Sequence, residues 1–192
     1  MENIFFDYKN LKYLGKGAII GKTVRIRNPE KVSIGNYTII DDFTYISCDF
    51  EIGSYCHIAS NSTISGGNGK VKIGDFVGIG AGTSIHPCSS EFLSVSLEMP
   101  SIPEEFQYGG INERIIINNY CQIGAKNTIL PGVSLPEGFA SSANSVIRKK
   151  KYRQWSLYGG NDSNFIYKRN PGQIKEITKK IKEKYDASIS ER

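Results

Sequence analysis

The chain has no apolar run long enough to cross a bilayer as a helix, which takes about 20 consecutive apolar residues. Its 192 residues are 39% hydrophobic, with a mean hydropathy of -0.31. The opening stretch, MENIFFDYKNLKYLG, has no basic segment ahead of an apolar core, so no secretory leader is expected. Cysteine is sparse and scattered, at Cys48, Cys56, Cys88 and Cys121, with no CxxC pair. That pattern suits reduced thiols in a cytoplasmic protein better than a disulfide framework. Histidine is scarcer still. His57 and His86 are too few for a three-imidazole metal site, so no metal is expected.

What the chain does have is a period of six. Apolar residues fall at Leu14, Ile20 and Ile26, then at Ile34, Ile40 and Ile46, and then at Ile52, Ile58 and Ile64. The series resumes at Ile73, Ile79 and Ile85, at Ile117, Ile123 and Ile129, and at Leu135, Ser141 and Ile147. Two residues before each anchor stands a second, mostly small or β-branched residue, such as Val32, Thr38, Thr44, Val77 or Cys121. Residues two apart on a strand share a face, so each unit sends a pair of side chains inward. A period of six fits neither a helix nor a hairpin meander. It predicts an all-β chain, a triangular parallel β-solenoid of about six coils over residues 14–147. In such a stack each coil draws its stability from its neighbours.

The ends of a solenoid need covering, because an open coil is an unpaired edge. Residues 1–13 carry Ile4, Phe5, Phe6, Tyr8, Leu11 and Tyr13, and are expected to form an N-terminal lid. Residues 148–192 read as a crossing segment followed by a helix. Pro171 marks its start, and Ile174, Ile177, Ile181 and Tyr185 form its apolar stripe. This segment holds thirteen Lys and Arg against five Asp and Glu, although the net charge of the whole chain is only +5. Residues 87–116 break the period. A connection of that length is usually functional, and its aromatics and prolines point to an ordered arm reaching a neighbouring subunit.

With these features together, Ile85-His86-Pro87, the long loop, and the later ILPGV at 129–133 resemble the hexapeptide-repeat acyltransferases. The likeness covers about residues 50–170. It is greatest to the galactoside and maltose O-acetyltransferases and to sugar acetyltransferases of bacterial surface-polysaccharide clusters. The resemblance implies a left-handed parallel β-helix, acetyl-CoA as co-substrate, and a homotrimer with active sites between subunits. It implies His86 as the catalytic histidine and Asn61 as an acceptor-holding residue. It also implies that pantetheine bonds backbone at Gly124, Ala125 and Ala143. The phosphates of CoA call for cations, and Arg148, Lys149 and Lys168 lie at or near the matching end. Glu91, in the loop, is a candidate for bonding acceptor hydroxyls or orienting His86.

The expected reaction is acetyl-CoA-dependent O-acetylation of a sugar hydroxyl in surface-polysaccharide synthesis, with neutral His86 as general base. One alternative is N-acetylation of a nucleotide-linked amino sugar. The other, of a different class, is a non-catalytic β-helix scaffold. Nucleic acid is not expected, since the basic tail lacks a recognisable binding module.

Overall fold

In the computed structural model, which describes residues 3–90 and 92–186, the chain winds into a three-faced parallel β-solenoid. Face I holds Tyr13–Leu14, Val32–Ile34, Asp49–Ile52, Lys70–Ile73, Ile115–Ile117 and Ser134–Leu135. Face II begins with Ile19–Ile20, Ile39–Ile40, His57–Ile58, Gly78–Ile79, Gln122–Ile123 and Ala140–Ser141. Face III holds Arg25–Ile26, Tyr45–Ile46, Thr63–Ile64, Ser84–Ile85, Thr128–Ile129 and Val146–Ile147. The expected six coils are present as complete turns. Ser156–Gly159 then pairs in parallel with Ala140–Ser141 and adds a strand of a seventh turn on face II alone. At about 4.8 Å per strand the prism is roughly 30 Å tall.

Register explains why the period holds. Ile52, Ile73 and Ile117 pair in line on face I, as Ile58, Ile79 and Ile123 do on face II and Ile64, Ile85 and Ile129 on face III. Nearly all the anchors are buried, including the polar Ser141. Truncating one such isoleucine to alanine costs about 2–5 kcal/mol where the site cannot collapse. Leu14, at the open first coil, is only half-buried. The lid over it is partial. Leu11 is buried and Phe6 and Tyr8 pack on the core, but Ile4, Phe5 and Tyr13 stay exposed.

The three edges differ. At edge I/II the corner residues Tyr37, Tyr55, Phe76 and Tyr120 all take positive φ, between 54° and 63°. Their rings stack at centroid distances of 5.2, 4.9 and 5.6 Å, and Trp155 continues the stack at 5.6 Å. Trp155 lies over Gly138, where an added Cβ would sit 2.3 Å from the indole. A left-handed bulky residue costs roughly 1–2 kcal/mol, and the continuous ladder offsets it.

The helix Gly172–Tyr185 lies along this ladder. Lys175 pairs with Glu137 at 3.0 Å, Lys182 with Asp75 at 3.3 Å, and Asp186 accepts a bond from the Tyr55 hydroxyl at 2.6 Å. Its inward residues are Ile174, Thr178 and Ile181, while Tyr185 meets Tyr37 edge-on at 6.1 Å but stays 44% exposed, so the expected four-residue stripe is not the buried face. Ile177 is 56% exposed, and buried Thr178 takes its place, with its hydroxyl 3.5 Å from the Tyr120 hydroxyl. The edge it covers is aromatic with phenolic rims, so a polar residue fits there.

The interruption is also more regular than expected. Cys88–Ser89 pairs antiparallel with Ile111–Asn112, so the arm leaves and returns through a short ladder. A 3-10 turn, Glu104–Phe106, lies within it.

Candidate functional site

His86 follows the face III strand Ser84–Ile85 and stands at edge III/I, half-buried. Its backbone N–H donates to the Ile129 carbonyl one coil above, at 2.9 Å. Pro87 behind it is buried and rests against the turn Gly66–Gly69 of the coil below. A Cβ on Gly69 would approach the Pro87 ring to 2.5 Å, so the glycine-rich turn is what lets the His-Pro corner seat. The imidazole Nδ1 lies 3.3 Å from Ser65 Oγ, and Nε2 has no partner among the described residues. Two residues further on, Cys88 donates its thiol to the Gly66 carbonyl at 2.9 Å. Burial pushes that thiol up, which favours its protonated form.

Beside this corner, Gly66, Cys88, Ser90, Glu98, Tyr108 and Asn112 help line a cavity of about 550 Å³ between the prism and the arm. Among the described lining residues Glu98 is its one carboxylate. It accepts bonds from the Gly110 N–H and the Ser96 hydroxyl, both at 3.0 Å.

The expected site residues fall on two different edges. Asn61 is exposed at edge II/III with φ 60°, and among the described residues its side-chain amide approaches Ser60 Oγ alone, at 3.4 Å. Gly124, Ala125 and Ala143 stand above it on the same edge, linked through bonds such as Asn144 N–H to the Ala125 carbonyl. Coil stacking by itself calls for glycine at 124, since a Cβ there would lie 2.6 Å from the Ala143 nitrogen. His86, Arg148 and Lys149 lie along edge III/I. The width of face III separates the two sets, about 13 Å for four extended residues. One chain therefore does not bring Asn61 and His86 together.

The cations are less free than their sequence clustering suggests. Lys149 is held by both oxygens of Glu113 at 2.8 Å, and Arg148 lies 3.6 Å from Asp162. Lys168 lies elsewhere, on the exposed strand Asn164–Lys168 that pairs antiparallel with Ser156–Gly159 and closes face II. Trp155 is buried in the aromatic ladder, packing the tail against the prism. Glu91 lies outside the described residues. Among those described, no group of three or more His, Cys, Asp or Glu is placed to hold a metal ion. No described helix is long and apolar enough to cross a membrane.

Three further residues emerge from the geometry. Ser65 is visible in the repeat, because the register pairing Ile64 with Ile85 places it beneath His86. Glu98 carries no signal within its aperiodic loop. His57 faces outward on face II, as its place before inward Ile58 predicts, and pairs with Asp41 through Nε2 at 2.8 Å. That contact crosses diagonally between coils and leaves no mark in the sequence period.

Comparison with known proteins places this architecture. Residues 31–66 match a family described as "Bacterial transferase hexapeptide (six repeats)". The dTDP-4-amino-4,6-dideoxy-D-glucose acyltransferase of Escherichia coli is 32% identical over 155 residues, 76% of this chain and 79% of that one. AntD, an N-acyltransferase from Bacillus cereus solved with dTDP and 3-hydroxybutyryl-CoA, superposes with a TM-score of 0.85 at 30% identity. That match covers 94% of this chain and 98% of the other. A variant of AntD solved with dTDP-4-amino-4,6-dideoxyglucose and coenzyme A also gives 0.85, at 29% identity over 95% of this chain and the whole of that one. With the solenoid, the interrupting arm and relatives matched along most of its length, this chain belongs to the hexapeptide-repeat acyltransferases.

Proposed function

We propose that this protein transfers an acyl group from acyl-coenzyme A to the amine of a nucleotide-linked amino sugar. The observation that carries this reading is the near full-length likeness to N-acyltransferases whose acceptor is a dTDP-linked amino sugar. It moves the acceptor from the sugar hydroxyl expected first to the amine held as the alternative. The scaffold reading loses its ground, because the relatives along the whole chain are enzymes. The reaction belongs in the cytoplasm, in keeping with four free cysteines, and its product suits surface-polysaccharide assembly.

The chemistry needs little apparatus. The neutral amine attacks the thioester carbonyl, a C–N bond forms, and the C–S bond breaks with coenzyme A leaving as thiol. His86 Nε2 takes the proton that the amine sheds and can pass it to the departing sulfur. A backbone N–H holds the oxyanion. Asn61 and Glu91 orient the acceptor. Pantetheine runs up edge II/III past Gly124, Ala125 and Ala143, and Arg148, Lys149 and Lys168 meet the phosphates.

Because Asn61 and His86 lie on separate edges, the site is completed where edge III/I of one copy faces edge II/III of the next in a homotrimer. The arm supports this, since Phe92, Leu97, Met99, Phe106 and Tyr108 are all about half exposed or more. Two experiments test the reading. The first offers the amino and hydroxyl forms of one nucleotide sugar with acetyl-CoA or 3-hydroxybutyryl-CoA and follows free thiol. Turnover of the hydroxyl form alone overturns the amine assignment. The second mixes His86→Ala and Asn61→Ala chains. Intact sites should reappear at about a quarter of the wild-type number if each site draws one residue from each of two neighbours. No recovery after verified subunit exchange excludes the shared site.

A further inference from the structure

A base held by backbone alone can still swing its ring, and among the described residues His86 has one side-chain hydrogen bond to stop it. That contact is Ser65. The serine sits one coil below, brought into line by the in-register pairs Ser84 with Thr63 and Ile85 with Ile64. Its own N–H donates to the Ile85 carbonyl at 3.1 Å, while the His86 N–H donates to Ile129 at 2.9 Å. Both backbones are thus pinned, Pro87 is buried behind them, and the remaining freedom is rotation of the imidazole. Ser65 Oγ, 3.3 Å from Nδ1, is where that rotation is arrested. No other partner of the Ser65 hydroxyl is found among the described residues. Among the described residues, the carboxylates Glu113 and Glu98 are engaged elsewhere, Glu113 by Lys149 and Glu98 by the arm's Gly110 and Ser96.

We propose that Ser65 is the positioning residue of the base, holding Nδ1 of His86 toward the scaffold so that Nε2 faces the acceptor. The inference rests on the acyl-transfer reading above. A neutral imidazole carries one N–H. When that hydrogen is on Nδ1 and donates to Ser65 Oγ, the Nε2 lone pair is free to accept the proton of the attacking amine. After transfer both ring nitrogens are donors, and Ser65 Oγ goes on accepting from Nδ1. The contact therefore survives the step, and it is stronger to the imidazolium than to the neutral ring. A hydroxyl achieves this without adding a second charge at the corner.

The test compares Ser65→Ala with Ser65→Thr, which keeps the hydroxyl. Alanine is expected to lower kcat roughly 3–10-fold, the worth of one neutral hydrogen bond, with KM for acyl-CoA unchanged. Threonine should restore most of the loss. Losing the acceptor of Nδ1–H also disfavours the imidazolium, so the acid limb of the kcat profile should move to lower pH in the alanine variant. A packing defect does not move that limb. Nitrogen NMR of the two histidines should show His86 protonated at Nδ1 in the wild type. Wild-type kcat with an unmoved limb in a folded Ser65→Ala protein overturns the positioning role. His86→Ala separates the levels. If it keeps full activity, the base assignment falls and Ser65 with it. If it is inactive while Ser65→Ala is normal, only the positioning role fails.

Discussion

Edge I/II and edge III/I of the same prism have been put to opposite uses. Along edge I/II every interior corner carries an aromatic residue in a left-handed conformation, and the C-terminal helix is laid over them. Along edge III/I the column runs Ser47, Ser65, His86, Leu130 and Arg148, with no α-helix over it among the described residues, and the coil breaks open into the arm right after His86. Both edges spend backbone regularity, one on ring stacking and the other on a seat for an imidazole. A repeat fold supplies three edges for each coil, so one can be sealed for stability while another is opened for chemistry.

The largest contrast comes from the smallest change at the open edge. His86→Ala should leave the solenoid intact, since the ring is half-buried and makes one side-chain hydrogen bond among the described residues. Turnover should fall about 10²–10⁴-fold, the usual worth of general base catalysis. Steady-state kinetics beside a thermal melt reads both quantities. Unchanged kinetics would end the assignment of the base.

The sealed edge should respond the other way. Tyr120 stacks on Phe76 at 5.6 Å and on Trp155 at 5.6 Å. Tyr120→Ala removes both contacts and is expected to cost about 2–3 kcal/mol, the low end of aromatic-to-alanine losses because the ring is half-buried. Tyr120→Gly loses the same ring but relieves the left-handed strain, so it should be more stable than the alanine variant by up to about 1 kcal/mol. Denaturant melts decide it. An alanine variant more stable than the glycine one would show that the corner is unstrained.

Gly69→Ala tests the meeting of packing and chemistry at edge III/I. Its new methyl would press on Pro87, at a cost of about 1–3 kcal/mol for overpacking. Any relief by movement of Pro87 also moves His86, so kcat should fall further than stability alone predicts at a temperature where the variant is fully folded. A loss of stability with full kcat would mean that the turn, and not the His-Pro corner, gives way.

Much of this was legible because the period is strict. Anchors at every sixth residue fixed the faces, and the slips after Ile26 and Ile64 fell in the turns that hold Pro29 and the glycine run. The aromatic ladder is legible only in hindsight. Tyr37 and Tyr55 are eighteen apart, one coil, but insertions stretch the later steps and hide the column. Ser65 follows from register once His86 is chosen. The division of the expected site between two edges was missed because the family likeness names residues without saying which corner each one occupies. The arm's cavity and Glu98 have no periodic signature at all, since an aperiodic loop finds its contacts only in three dimensions.

The smallest effect compares what lies beneath the two edges. Cys56 and Cys121 sit just inside the ladder, and Cys48 lies under edge III/I. Burial, the leading cause in each case, pushes their thiols from 9.0 up to about 11 for Cys56 and about 12 for Cys121 and Cys48. Unfolded thiols release their protons near 9.0, while the folded chain keeps them to higher pH. The raised values therefore add stability that is complete below about pH 9 and is lost as pH climbs through the folded values. Melting temperature should thus decline from about pH 9 upward, and Cys56→Val with Cys121→Val should make the decline shallower without abolishing it, because Cys48 still titrates. Tyr55 adds to the same slope, since burial and the bond to Asp186 hold its hydroxyl protonated well above 10.0. An identical slope in the double valine variant would mean that the alkaline sensitivity comes from Cys48 or from Tyr55 and the helix clasp rather than from Cys56 and Cys121.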